Sequence, residues 1–175
     1  TTDATATVAI GMESLKALTS GQANVAIGYE ALKVEDDGDF NTAVGYQALK
    51  DQTGVSGTVG NTAVGYYAGT NITTGIKNTI LGTYAGYTSL LVDNTVLLGY
   101  NAGGSGAMTA GADGTIAIGF SALQALTTGA SNIAIGINAL KVHTTGARNI
   151  AIGENAMFNT DAGSTSLGSA DNVFI

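Results

Sequence analysis

A nine-residue segment that recurs at a near-constant interval constrains the fold of this chain more than any other feature. In its clearest copy, from Asn41 to Leu49, the segment reads Asn-Thr-Ala-Val-Gly-Tyr-Gln-Ala-Leu. Its glycine recurs at intervals of 17 residues, interrupted by two intervals of 20: Gly11, Gly28, Gly45, Gly65, Gly82, Gly99, Gly119, Gly136 and Gly153. A fixed period of this kind is typical of solenoids, in which each unit buries its apolar surface against its neighbours.

The three residues before each of these glycines predict a β-strand. The third residue before the glycine is Val, Ile or Thr, the second is usually Ala, and the first is always a large aliphatic residue. β-Branched residues favour strands, and successive side chains of a strand lie on opposite faces. We expect the large residues to point into the coil and the alanines to point outwards, where another copy of the chain packs on them. The alanines expected at this interface are Ala26, Ala43, Ala63, Ala117, Ala134 and Ala151.

The remainder of each unit predicts a turn. Ten residues after the motif glycine, six units have another glycine, often directly after a pair of Thr or Ser residues. Glycine supplies the positive φ that such turns need. The sequence therefore predicts an all-β fold in which residues 1–175 form one repeat domain, a parallel β-solenoid of about nine 17-residue coils. Because the first residue is Thr1 rather than Met, we expect a fragment of a longer protein.

The units resemble the head repeats of trimeric autotransporter adhesins (YadA-like heads), which build a left-handed parallel β-roll from Asn-Ser-Val-Ala-Ile-Gly strands. They are also similar to the Asn-Thr-Ala-Ile-Gly-Tyr-Gln-Ala-Leu arrays of phage tail fibres and bacterial fibre proteins. The resemblance extends over about residues 5–175 and includes the copies from Asn24 to Leu32 and from Asn132 to Leu140. It implies a left-handed roll that assembles as a parallel homotrimer. It also implies an extracellular location, on a virion tail fibre or a bacterial surface, and a cell-surface glycan or protein as the receptor.

Two units are three residues longer than the others, and the additional residues fall near 51–59 and 104–113. The repeated faces of a solenoid are chemically uniform, whereas loops held on a rigid scaffold commonly carry specific contacts. We therefore expect receptor contacts from Asp51, Gln52, Ser56, Thr58, Ser105, Met108 and Asp113. The alternative is that both insertions are spacers, since they contain runs of small residues.

The charge and composition of the chain argue against several classes of function. The net charge is −7 and no cluster of Lys and Arg is present, so we expect no nucleic-acid partner. The chain has no run of 18 apolar residues, so we expect no insertion into a membrane. The Gly-rich stretch at residues 54–60 lacks the lysine of a phosphate-binding loop, and we expect no cofactor.

Catalysis has little support in the sequence, and we expect that the chain is not an enzyme. His143 is the sole histidine and precedes a Thr-Thr-Gly turn, where an exposed polar residue is ordinary. A catalytic base also needs an orienting partner, and none is visible nearby. A glycan-degrading enzyme needs a pair of carboxylates, and the strands between Asn41 and Gly153 carry almost none. Hexapeptide acyltransferases, which are also trimeric solenoids, need an aliphatic residue at every sixth position, where this chain has Lys33 and Asp39.

The acidic run from Glu35 to Asp39 contains the candidate metal ligands of the sequence. Asp36, Asp37 and Asp39 offer carboxylate oxygens to a calcium ion. Their spacing fits no standard calcium loop, and a solvated charged turn is the usual explanation of such a run. We therefore expect no bound metal.

Residues at two further positions of the repeat are expected to stack along the solenoid axis. We interpret the asparagines Asn24, Asn41, Asn61, Asn78, Asn132 and Asn149 as amides that pair along the axis. Aromatic residues after the motif glycine, Tyr29, Tyr46, Tyr66, Tyr100 and Phe120, predict a column of rings. We interpret the column as a structural ladder, with a sugar-binding platform as the alternative.

These patterns indicate a structural and adhesive module of a trimeric fibre, which spaces or presents a receptor-binding surface. The alternatives are a glycan-binding solenoid and an ice-binding solenoid with stacked threonines. Thr42, Thr62 and Thr79 do stack in the middle of the chain, but Val or Ile replaces them in the flanking units. The threonine array is therefore short.

Overall fold

The computed structural model describes residues 5–53, 56–158 and 171–175. Within these residues the chain consists of short strands, turns and a 3₁₀ turn at Ala110–Ala112. The strands are β1 (Val8–Ile10), β2 (Val25–Ile27), β3 (Gly38–Asp39), β4 (Thr42–Val44), β5 (Gly57–Thr58), β6 (Thr62–Val64), β7 (Thr79–Leu81), β8 (Val96–Leu98), β9 (Ile116–Ile118), β10 (Ile133–Ile135), β11 (Ile150–Ile152) and β12 (Val173–Phe174). The predicted all-β class is confirmed.

Ten of these strands form one parallel sheet in the order β1-β2-β4-β6-β7-β8-β9-β10-β11-β12, and β3 pairs separately with β5. Each strand of the large sheet pairs in register with its equivalent in the next turn, so that Ala26 lies beside Ala43 and Ala43 beside Ala63. The register continues across the 20-residue unit between β4 and β6, and the additional residues therefore lie outside the large sheet. The predicted parallel solenoid is confirmed, with about eight turns in the described residues.

A ladder of buried asparagines lies directly before most strands of the large sheet. The Oδ1 atom of Asn24 accepts a hydrogen bond from the backbone N–H of Asn41 at 2.8 Å, and Asn41 does the same for Asn61 at 3.0 Å. The Nδ2 group of Asn24 donates to the carbonyl of Gly38 in the following turn, at 2.7 Å. The side chain of Asn24 therefore joins its strand to the next coil. The predicted pairing of amides along the axis is seen at Asn149, whose Nδ2 donates to Oδ1 of Asn132 at 3.1 Å.

The strands of the large sheet face the opposite way from the prediction. The alanines expected at the interface have no solvent exposure within a single chain: Ala26, Ala43, Ala63, Ala117, Ala134 and Ala151. The large aliphatic residues on either side of them are half-buried or exposed, and Leu81 is 50% exposed. The alanines thus point into the coil and have no surface to offer to a second chain. The prediction that they form the trimer interface is wrong.

The physical reason is the limited space inside each coil. In most coils the buried alanine of the strand shares the interior with a leucine such as Leu49, which follows the motif glycine by four residues. Where β7 and β8 carry Ile80 and Leu97 in place of alanine, that leucine is replaced by glycine. A Cβ atom on Gly69 would lie 3.0 Å from Cδ1 of Ile80, and one on Gly86 would lie 2.9 Å from Cδ1 of Leu97. A larger residue in the strand therefore requires a smaller one opposite it.

A second set of buried side chains, the inner column, follows the motif glycine by seven residues in each of its coils except that of Met108, where the interval is nine. It consists of Leu18, Glu35, Gln52, Ile72, Ser89, Met108, Leu126 and His143, all of them buried. Met108 reaches this column from an extended unit, because the next residue, Thr109, hydrogen-bonds to the carbonyl of Thr127 at 3.0 Å. The inner column therefore mixes apolar with polar and ionisable side chains.

Replacement of Ala134 by leucine is expected to destabilise the chain by about 1–3 kcal/mol, because the added carbons have no space inside the coil. The companion change Leu123→Gly should restore part of the lost stability. Leu123 precedes Ala134 by 11 residues, as Gly69 precedes Ile80, so a glycine there makes room for the added carbons. Leu123 also has a φ of +49°, which glycine adopts at less cost. Urea unfolding measures both variants. A single variant as stable as the wild type, or a double variant less stable than the single one, would contradict the inward orientation of Ala134.

Candidate functional surfaces

The outer face of the large sheet carries two columns of mostly aliphatic side chains, which we call the aliphatic face. The first column is Val8, Val25, Thr42, Thr62, Thr79, Val96, Ile116, Ile133 and Ile150, and the second is Ile10, Ile27, Val44, Val64, Leu81, Leu98, Ile118, Ile135 and Ile152. None of these side chains is fully buried within the chain. Nine strands at the usual spacing extend this face over about 38 Å. Continuous apolar surfaces of this size usually mark an interaction site.

The three threonines within the aliphatic face interrupt it only briefly. Thr62 and Thr79 are exposed and Thr42 is half-buried. They lie beside one another in β4, β6 and β7, and Val25 and Val96 occupy the same position in the neighbouring strands β2 and β8. The hydroxyl array is therefore three strands long in a sheet of ten, which gives ice binding little surface.

The aromatic residues form a nearly continuous ladder of rings beside the aliphatic face. Tyr29 and Tyr46 stack with their centroids 4.9 Å apart, and Tyr100 and Phe120 stack at 5.3 Å. Stacked rings cover each other's faces, and a sugar needs an open ring face. The contacts support the structural ladder at these two pairs.

The middle of this ladder was not predicted from the sequence. After Gly82 the aromatic residue is replaced by Thr83, which leaves a gap in the column of rings. Tyr67, Tyr84 and Tyr87, from other positions of the repeat, fill that gap. Tyr67 and Tyr84 stack at 5.6 Å, while Tyr87 meets both of them edge-on. Desolvation against neighbouring rings raises the pKa of Tyr67 and of Tyr84 above the ordinary value, so both hydroxyls are neutral at physiological pH.

Two residues proposed as receptor contacts lie in the interior. Gln52 and Met108 have no solvent exposure, because both belong to the inner column. The Oε1 atom of Gln52 accepts a hydrogen bond from Nδ2 of Asn61 at 2.8 Å, which ties it to the asparagine ladder. The prediction that Gln52 and Met108 contact a receptor is therefore wrong. Gln52 follows its motif glycine by seven residues, as Glu35 does, whereas Met108 follows Gly99 by nine and takes the same place in the folded coil.

The other predicted contact residues differ in their surroundings. Asp113 is half-buried and accepts a hydrogen bond from the backbone N–H of Asp93 at 2.9 Å, which gives it a structural role. Asp51 is half-buried, and Ser56, Thr58 and Ser105 are exposed. The structure therefore leaves these four residues available to a partner.

The exposed tip of the first insertion forms part of a polar groove. Ser56 and Gly57 line it together with residues of earlier coils: Thr5, Ser20, Gln22, Asp37 and Asp39. The groove has a volume of about 430 Å³. Hydroxyl, amide and carboxylate groups therefore line one surface. In the described part of the chain, the second insertion contributes no residue to this groove.

The acidic turn brings together a different set of carboxylates from the predicted one. Carboxylate oxygens of Glu35, Asp36 and Asp37 lie within 4.8 Å of one another, and Asp39 is not part of that group. Asp39 instead accepts a hydrogen bond from the backbone N–H of Gln22 at 2.8 Å. The set Asp36, Asp37 and Asp39 is therefore corrected to Glu35, Asp36 and Asp37. Glu35 was not among the predicted ligands, although it follows the motif glycine by seven residues, as most other buried residues of the inner column do.

Glu35 is the member of this group with the most constrained surroundings. It is fully buried, and its Oε1 atom accepts a hydrogen bond from the N–H of Gly38 at 2.8 Å. Its Oε2 atom has no hydrogen-bond partner. Burial raises the pKa of the Glu35 carboxyl above its ordinary value, and the N–H of Gly38 opposes that shift.

The charged residues of the first coils, by contrast, neutralise one another. Nζ of Lys33 lies 2.6 Å from Oε2 of Glu13 and 2.7 Å from Oε1 of Glu30. Hydrogen bonds from Lys16 and then Lys33 hold the pKa of Glu13 at about 2. In the described residues no comparable ion pair involves the acidic turn.

His143 lies in the inner column and is fully buried, whereas the sequence analysis placed it in an exposed turn. Its Nε2 atom lies 2.9 Å from the carbonyl oxygen of Gly146 and 3.3 Å from Nδ2 of Asn149. A fully enclosed imidazole has no surface to offer to a substrate. The contact with Gly146 instead gives it a part in closing the turn of its coil.

Comparison of the chain with protein-family models, with curated proteins and with solved structures found no match. A search for membrane-spanning helices also found no candidate in the described residues.

Proposed function

We propose that the chain is a structural and adhesive module of a trimeric fibre, in which three copies lie parallel and join through the aliphatic face. The aliphatic face is the observation that carries the proposal. In this arrangement each copy is a left-handed β-roll, as the resemblance to adhesin heads and tail-fibre arrays implies. The interface consists of outward-facing side chains such as Ile118 and Ile135, in place of the buried alanines.

The repeat spacing of the aliphatic face favours another copy of this chain as its partner. Side chains recur along the face at the spacing between parallel strands, about 4.8 Å. A partner that packs against them over the full length of the face must carry side chains at the same spacing. A second chain in parallel register has that spacing and the same apolar character. Burial of apolar surface at about 25 cal/mol per Å² then stabilises the assembly.

In this proposal the fibre is extracellular, on a virion tail fibre or a bacterial surface, and its partner is a cell-surface glycan or protein. The candidate contacts are the half-buried Asp51 and the exposed residues Ser56, Thr58 and Ser105. In a trimer each contact occurs three times around the axis. Weak individual contacts can therefore combine into strong binding through avidity.

Replacement of Ser56, Thr58 and Ser105 by arginine is expected to weaken binding to target cells by about tenfold or more, equivalent to ~1.4 kcal/mol, because the long charged side chains cover the contact surface. The matched control replaces Thr74, Thr128 and Thr145, which are exposed in regular turns, by arginine. Binding of labelled protein to target cells measures both sets, and sedimentation confirms that each keeps the mass of the wild type. Equal binding by both sets would mean that the insertions are spacers and that the module is a shaft.

A further inference from the structure

We propose that Glu35, Asp36 and Asp37 form a calcium-binding site that joins the inner column to the surface of the acidic turn. The proposal goes beyond the proposed function and does not depend on the number of copies in the assembly. Carboxylate oxygens of the three residues lie within 4.8 Å of one another. Calcium–oxygen distances are about 2.3–2.6 Å, so oxygens at that separation can contact the same ion.

The buried carboxylate of Glu35 is the second, independent reason for a ligand at this place. The inner column holds Leu18 one coil earlier and Gln52 one coil later, and at this position the coil encloses a carboxylate. The N–H of Gly38 satisfies Oε1 and fixes the orientation of the group, whereas Oε2 is enclosed and has no hydrogen-bond partner. Burial of a carboxylate with one oxygen left unpaired is unfavourable. A cation bound to Glu35 removes that penalty.

The charges around the site also favour a cation. Three carboxylates stand on consecutive residues, and no ion pair in the described part of the chain neutralises them. Mutual repulsion of the carboxylates therefore adds to the penalty on Glu35.

Calcium is the divalent ion that fits these ligands. The three side chains offer only oxygen, which hard cations prefer, and calcium accepts irregular geometry more readily than magnesium. Asp36 is exposed and Asp37 is half-buried, so the outer side of the site is open to water molecules that complete the coordination. A site of three carboxylates and several waters is expected to bind calcium with a Kd of about 0.1–1 mM, as in extracellular modules.

The test is a calcium titration of the whole protein at neutral pH after removal of divalent ions with EDTA. Isothermal titration calorimetry is expected to give saturable binding of one ion per chain. The Tm is expected to rise by about 5–10 °C at 100 times the Kd, and magnesium chloride at the same concentration should raise it less. Absence of saturable binding would overturn the proposal.

Two variants and one control locate the site. Glu35→Gln places at this position the residue that the next coil already holds as Gln52, and it should abolish the response to calcium. The double change Asp36→Asn with Asp37→Asn leaves the inner column intact and should weaken binding at least tenfold, so the proposal stays testable if Glu35→Gln fails to fold. Glu154→Gln, which removes one exposed acid elsewhere, should respond as the wild type does. Wild-type affinity in either acidic-turn variant would overturn the proposal.

Discussion

Replacement of Gly119 by alanine is expected to destabilise each chain by at least about 3 kcal/mol, because two unfavourable effects coincide. The φ of Gly119 is +131°, which residues with a side chain rarely adopt, and a Cβ atom there would lie 2.5 Å from the carbonyl oxygen of Gly136. That carbonyl cannot move freely, since the N–H of Gly136 donates to the carbonyl of Ile118 at 2.8 Å within the ladder between coils. Urea unfolding, or circular dichroism if the variant does not fold, measures the loss.

Gly114→Ala is the matched control for this prediction. Gly114 also has a positive φ, +68°, but within 4 Å a Cβ atom there would meet just the hydroxyl of Ser131, at 3.6 Å. We expect it to cost about 1–2 kcal/mol, the ordinary penalty of the left-handed region. An equal loss of stability in both variants would contradict the prediction. It would mean that the contact between Gly119 and Gly136 is not the reason for glycine at position 119.

The paired change Leu98→Asp with Ile135→Asp is expected to convert the proposed trimer into folded monomers. Both residues lie on the aliphatic face and are half-buried in the single chain, so a carboxylate at either position can still reach water in the monomer. In the assembly the same carboxylates would be buried without partners, at a cost of several kcal/mol for each. Sedimentation measures the mass, and circular dichroism shows whether the strands persist.

Leu91→Asp with Val142→Asp serves as the control for that pair. Leu91 and Val142 are apolar and exposed, with 41% and 36% of their surface accessible, but they lie on the turn side of the coils. The control pair should leave the mass of the assembly unchanged. Dissociation of the control, or an unchanged mass for the pair on the aliphatic face, would place the interface elsewhere.

The period of the repeat was sufficient to predict the architecture, because the order of the residues shows it without any knowledge of which distant residues are in contact. The spacing of the glycines required a stacked solenoid, and the short β-branched segments required strands. The asparagines of the ladder were identified for the same reason. A residue such as Asn41, repeated in register, can meet the equivalent residues of the neighbouring coils.

The orientation of the strands was not predicted, because alternation defines two faces without saying which one is inside. The assumption that large residues point inwards failed because a leucine such as Leu49 already fills that space, and Ile80 and Leu97 fit only where glycine replaces the leucine. The sequence did contain a signal: Ile80 and Leu97 replace alanine in the units where Gly86 and Gly103 replace leucine. An exchange of volume between two positions indicates that both lie in the same interior.

The candidate sites were less predictable than the fold, because burial within a coil depends on the path of the turn. Gln52 and Met108 looked like insertion residues but complete the inner column. Glu35 looked like one more charge of a solvated turn, and the turn directs it inwards. The spacing did contain a signal, since Glu35, Gln52 and His143 all follow their motif glycine by seven residues, and all three are buried.

The mass of the wild-type protein in solution is the most direct test of the central claim that the aliphatic face joins copies of this chain. At micromolar concentration, sedimentation equilibrium is expected to give a single species of three times the 17.4 kDa chain mass. The variant with Leu98→Asp and Ile135→Asp is expected to give the mass of one chain. A wild-type protein that remains at 17.4 kDa under the same conditions would contradict the claim.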